Sequence, residues 1–118
     1  MALPTLAPYN ATMHAVVGLT ETLDVELKSV SKDLGATVLC PGMVDTPLAA
    51  NSAAVAPPGA MTIADEGQDM AAMGAISPLI VAQAAIAAVE AGLVHAVVGP
   101  GAAEVARQRV DALLADLD

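Results

Sequence analysis

Two short apolar runs, Ala-Thr-Val-Leu-Cys at 36–40 and Val-His-Ala-Val-Val at 94–98, most constrain what this chain can fold into. Both favour strand, and the first shows no polar/apolar alternation, so it reads as a strand covered on both faces, as in a parallel sheet. Pro41-Gly42 ends the first run and Gly99-Pro100-Gly101 the second. Strands of that kind need helices above and below them.

Three segments supply helices. Over residues 10–34, Val16, Leu23, Leu27, Val30 and Leu34 recur at three- and four-residue steps, predicting one apolar stripe that packs inward. Glu21, Asp24, Glu26 and Lys28 fall largely off that stripe, with Asp24 and Lys28 spaced for an i,i+4 pair. Lys28 and Lys32 suit the negative end of the helix dipole, and Gly35 is placed for a left-handed stop. Residues 78–91 form a second helix, opened by Ser77 and Pro78 and closed by Gly92. Residues 102–117 form a closing helix with Val105, Ala106, Val110, Leu113, Leu114 and Leu117 as its apolar positions. Between them residues 46–76 read as irregular, punctuated by Pro47, Pro57, Pro58, Gly59, Gly67 and Gly74. A segment of that length is a lid or substrate loop, here 47–76.

Helix, strand, lid, helix, strand, helix is part of an α/β layered sheet. Two five-residue strands cannot make a sheet with covered faces, and their unpaired edges invite association. The expectation is one incomplete domain over residues 1–118, helix-rich, with two short parallel strands.

Composition narrows the function. A chain that is 56% hydrophobic is not a disordered tail, and a net charge of −9 excludes binding to a phosphate backbone. A single cysteine, Cys40, makes no internal disulfide or thiolate cage and fits a reducing cytoplasm; it reads as a small buried hydrophobe with no base placed to activate it. The start carries no basic residue and no secretory pattern. Residues 70–89 are free of charge, yet Ser77, Pro78 and Gln83 and the many alanines favour a core helix over a membrane span. His14 and His95 lack ligand spacing, so no metal is expected and both read as structurally satisfied. Asp65, Glu66 and Asp69 read as solvent-facing. Met43, Met61, Met70 and Met73 either line an apolar substrate pocket or fill gaps.

Two segments carry chemistry. Tyr9-Asn10-Ala11-Thr12-Met13-His14-Ala15-Val16-Val17-Gly18-Leu19-Thr20-Glu21 and Thr37-Val38-Leu39-Cys40-Pro41-Gly42-Met43-Val44-Asp45-Thr46 together resemble the short-chain dehydrogenase/reductases. The first resembles that family's Tyr-x-x-x-Lys helix, the second its strand and Pro-Gly turn over the nicotinamide. Tyr9 and Pro41 stand 32 residues apart, as one long helix and one strand require. The match is close over residues 5–47 and only in outline beyond. The resemblance implies a doubly wound, Rossmann-like parallel sheet of which these residues are the C-terminal part. It implies NAD or NADP as cofactor and a small carbonyl or alcohol substrate, apolar if the lid is a guide. It also implies Tyr9 as proton donor and acceptor, and Pro41, Gly42, Val44 and Thr46 as cofactor contacts.

The departures carry as much information. A lysine four residues after the tyrosine shares its helix face, and its ammonium favours phenolate. Met13 stands there, with neither charge nor donor, and His14 lies about 100° round the helix. The family's glycine-rich turn and catalytic serine precede the tyrosine, where only eight residues stand, and Thr5 does not match that serine by spacing. The expectation is therefore a truncated relative that is inactive alone. Two alternatives stand beside it: a non-catalytic subunit that assembles with itself or with full-length relatives through residues 10–34 and 94–117, and one half of a split enzyme.

Overall fold

The structure, a computed structural model, describes residues 6–59 and 74–117. Thr5, Met61, Asp65, Glu66, Asp69, Met70, Met73 and the 60–73 part of the expected lid lie outside those residues. The elements run α1 (Ala7–Val30), β1 (Val38–Pro41), α2 (Leu48–Val55), α3 (Pro78–Glu90), β2 (His95–Val98) and α4 (Ala102–Ala115). This is an α/β arrangement around a two-stranded parallel sheet, paired Val38 to His95 through Pro41 to Val98.

The helices mostly form for the reasons legible in their sequence, with three corrections. Helix α1 ends at Val30, four residues early, because Ser31 turns into extended backbone. Gly35 is therefore not its left-handed cap and is absent from the positive-φ glycines. Its small size matters instead, since a Cβ there would stand 3.1 Å from Oδ1 of Asp24. Within the segment read as irregular, α2 forms between Pro47 and Ala56, because Leu48-Ala49-Ala50-Asn51-Ser52-Ala53-Ala54-Val55 is rich in the strongest helix former. Helix α3 starts as expected: the Ser77 side chain caps it by accepting from Leu79 N–H at 3.2 Å, and Gly92 follows with φ +66°.

The third correction concerns which face of α1 packs. Asp24 is buried and Asn10, Val17, Thr20 and Leu27 are half-buried, while Val16, Leu19, Leu23 and Val30 of the apolar side are exposed. Asp24 is the one buried charged residue among those described, at 5% exposure. A carboxylate tolerates that position because Lys28 Nζ donates to Oδ2 at 2.7 Å and Ala36 N–H to Oδ1 at 3.1 Å.

The strands are also less covered than expected. Val38 and Ala96 are buried, whereas Leu39 and Val97 remain exposed. Two strands are too narrow for the flanking helices to close over every position. Helix α1 lies along the face carrying Val38 and His95; α3 packs against β2 through the row containing its buried Val81 and Ala88. Helix α4 touches β2 only near its start, where Ala102 and Val105 are half-buried. No described helix is long and apolar enough to cross a membrane.

Candidate active-site surface

The Pro41-Gly42 turn and the residues after it stand where the strands end. Helix α1 runs antiparallel to the strands. Asp24 meets Ala36 just before β1, while Glu21, three residues back, bonds His95 Nε2 at 2.8 Å beside Val38. Twelve further residues back along the helix, a rise of about 18 Å, comes Tyr9. The helix thus runs from Glu21 toward the carboxyl-end side of the strands, the side on which open parallel sheets place their ligands.

Two glycine turns abut at that end. Gly42 N–H donates to Val98 C=O at 2.8 Å, and a Cβ on Gly42 would lie 3.1 Å from Pro100 O. Gly99 has φ +100°, and a Cβ on it would meet Ile76 Cδ1 at 3.2 Å and Gly42 N at 3.5 Å. Only residues without side chains allow the two turns to close on each other this tightly.

Beyond the turn, Val44 and Ile76 form a parallel bridge. Its bonds are Ile76 N–H to Met43 C=O at 3.0 Å and Asp45 N–H to Ile76 C=O at 2.9 Å. In a parallel ladder the residue between two such bonds directs its own N–H and C=O to the opposite side. Val44 therefore presents a donor and an acceptor away from Ile76, next to the exposed Thr46. The same bridge pins both ends of the excursion that contains α2, and sequence reasoning missed it because a one-residue pairing leaves no periodic signal.

The tyrosine and the methionine at the position of the family's lysine share one helix face. Tyr9 and Met13 occupy i,i+4 positions of α1 and are 47% and 43% exposed. Tyr9 stands in the first turn of the helix, one residue after Pro8. Thr12 Oγ1 donates to the Tyr9 carbonyl at 2.8 Å, and the His14 Nδ1 side is held by the Asn10 carbonyl at 2.7 Å, so the imidazole is tied back to its own helix. Among the described residues, no hydrogen bond joins the Tyr9 ring to the Pro41-Gly42 turn. Pro41 is exposed as the last residue of β1; Gly42 and Val44 are half-buried. Met43 is exposed beside them. Thr46 and Met13 offer no cation.

The surroundings of two side chains shift their acidity. The Lys28 hydrogen bond, and after it the Ala36 N–H, hold the Asp24 carboxyl below its ordinary range. Partial burial, helped by the Glu21 carboxylate, pushes the Cys40 thiol up, which keeps it protonated and unreactive. Among the described residues no group of three His, Cys, Asp or Glu side chains could hold a metal ion.

Part of this chain is similar to short-chain dehydrogenases and ketoacyl reductases. A Streptomyces coelicolor protein named as a ketoacyl reductase is 47% identical over 45 residues, 38% of this chain and 16% of that protein. The short-chain dehydrogenases fogB of Aspergillus ruber and anuF of Penicillium roqueforti are 42% and 38% identical over 48 residues each, 41% of this chain and 17% of theirs. The matched stretch thus spans about a sixth of the length of these relatives. No protein-family model matches the chain, and no solved structure does.

Proposed function

We propose that these residues are the carboxy-terminal part of a Rossmann-like, doubly wound domain descended from an NAD(P)-dependent alcohol or carbonyl oxidoreductase. They keep the nicotinamide end of the site and have lost its proton relay. The observation that carries this reading is Val44, whose outward N–H and C=O match the acceptor and donor of a carboxamide, as backbone groups in a fixed position. Pro41 and Gly42 form the wall before it and the Thr46 hydroxyl extends it. A nicotinamide, when bound, supplies or takes up hydride; the part left to this chain is to orient the ring by its amide.

The fit stops there. Tyr9 holds the position of the proton donor and acceptor, and Met13 holds the position of the cation that would favour phenolate. A pyrophosphate is held by a glycine-rich turn leading into a helix N-terminus; the family's Thr-Gly-x-x-x-Gly-x-Gly form of that turn is absent from these 118 residues, and Gly99-Pro100-Gly101, which leads from β2 into α4, does not have that spacing. That cradle has to come from residues other than these. The isolated polypeptide should not bind the cofactor usefully. Titration with NADH and with NADPH, followed by cofactor fluorescence, tests this: no saturable change below millimolar protein is expected, and micromolar binding contradicts it.

A second reading is favoured by the exposed side of α1. Val16, Leu19, Leu23 and Val30 lie open along a long helix, and among the described residues the outer edges of both strands are unpaired. Such surface suits a non-catalytic subunit that assembles with like chains, through α1, the final strand and helix, or both. Light scattering on the purified chain decides: a discrete folded oligomer supports assembly, and a monomer at all concentrations argues against it.

A further inference from the structure

We propose that the outer edge of β2, with the groove between it and α3, takes up an extended peptide as an added strand, and that this peptide alternates apolar and basic residues. Such binding is independent of any cofactor.

The edge is open in a specific way. Val38 N–H donates to Val94 C=O at 2.7 Å and Gly42 N–H to Val98 C=O at 2.8 Å. In a parallel ladder of that phase Val94, Ala96 and Val98 turn their backbone groups toward β1, and His95 and Val97 turn theirs outward. Among the described residues no strand pairs with that side. Exposed edges are commonly guarded by lysine, proline or a covering element. The outer edge of β1 has a guard in Pro41, which lacks an N–H. His95-Ala96-Val97-Val98 contains neither lysine nor proline.

Beside the edge lies an open groove of about 410 Å³. Ala84, Ala87 and Ala88 of α3 form its wall, and His95, Ala96 and Val97 its floor. No residue of β1 lines it, so it opens on the outer side of β2. Its lining holds no carboxylate, lysine or arginine. The alanines leave the space, because larger side chains at those positions would reach the strand and close it.

Backbone, volume and charge together specify the occupant. N–H and C=O groups presented by alternate residues are matched by another extended backbone, and a small apolar molecule has no such series to offer. From His95 to Val97 the edge is about 7 Å long, so about three peptide residues pair with it. The side chains of an added strand alternate between the two faces of the sheet. Those on the α3 side enter the alanine groove and are apolar. Those on the opposite side share a face with His95, where the half-exposed Glu21 carboxylate lies 2.8 Å from Nε2, and are basic. The net charge of −9 attracts such a strand from further away, and favours it over a second copy of the chain, which brings the same charge.

The test is a titration of the isotope-labelled 118-residue chain with a blocked peptide that alternates valine and lysine, followed by amide resonances and hydrogen exchange, with sedimentation to count chains. In the free chain the His95 and Val97 amides should exchange fast and the Ala96 amide slowly. The peptide should bind one to one and slow the first two. Methylating its backbone nitrogens should weaken binding about tenfold or more, as should glutamate in place of lysine, or Ala87→Leu, which fills the groove. Leu19→Asp on α1 should leave binding unchanged. The peptide variants report on the wild-type chain whether or not Ala87→Leu folds. Absence of saturable binding overturns the proposal. So does an N-methylated peptide that binds equally well, since the contact is then apolar adsorption, and so does an acidic peptide that matches the basic one. Protection of His95 and Val97 in the free chain, with two chains per particle, also overturns it, because a second copy then holds the edge.

Discussion

The carboxylate of Asp24 and the backbone N–H of Ala36 meet at 3.1 Å, fastening the long helix to the entrance of the first strand. Twelve residues of chain, including the helix end, are folded into that one contact. It fixes how far along the sheet the helix lies, and hence where Tyr9 falls relative to the Pro-Gly turn.

That contact makes stability depend on acid. Lys28 and the Ala36 N–H lower the carboxyl's pKa in the folded state, so the stabilisation is complete above the ordinary carboxylate value of about 4. It is lost as pH falls through the lowered native value. Asp24→Asn should lower the thermal midpoint at pH 7 and flatten the dependence of that midpoint on pH below about 4. Melting curves from pH 2 to 7 check it; an acid limb as steep as in the wild type would assign that sensitivity to other carboxylates.

Gly99 bears on the closure of the two turns. Its φ of +100° is strained for any residue with a side chain, and a Cβ would press on Ile76 at 3.2 Å. Gly99→Ala should cost about 1–3 kcal/mol in chemical denaturation. An unchanged denaturation midpoint would mean that the turns are not held together as described.

The one-sided covering of the strands is measurable too. Val38 is 6% exposed and the adjacent Leu39 38%. Val38→Ala should cost about 2 kcal/mol from lost burial and the cavity left behind. Leu39→Ala should cost less, although leucine loses more atoms. Equal losses would indicate that something covers the outer face in solution.

The elements were largely legible in the sequence; the way they pack was not. Proline, serine and glycine punctuation located α3 and β2 to within a residue or two, because caps and turns are local chemistry. The orientation of α1 was not local. Its apolar spacing pointed inward at Val16 and Leu23, but the helix docks through Thr20 and Asp24, because Ala36 and Lys28 satisfy the buried carboxylate. A partner 12 residues away leaves no mark on helical periodicity. The short helix α2 was hidden by the prolines around it, and the Val44–Ile76 bridge by being a single pairing. The candidate site was legible as residue types, Tyr9 with Met13 and Pro41-Gly42 with Val44 and Thr46. The outward aim of the Val44 backbone emerged only from its neighbours' hydrogen bonds.

If Tyr9 is a remnant of chemistry and not a structural anchor, its hydroxyl should be dispensable to the fold. The ring is half exposed at the first turn of α1. Tyr9→Phe should change stability by less than about 0.5 kcal/mol, as expected of a surface position. A loss of several times that in urea titration would make the hydroxyl a structural group.

Ketone reduction by the purified 118-residue chain, assayed with NADPH and with NADH beside its Met13→Lys variant, tests the account most directly. Neither protein should exceed the protein-free rate, because restoring the cation supplies no seat for the pyrophosphate. Turnover by either one, abolished by Tyr9→Phe, would contradict it.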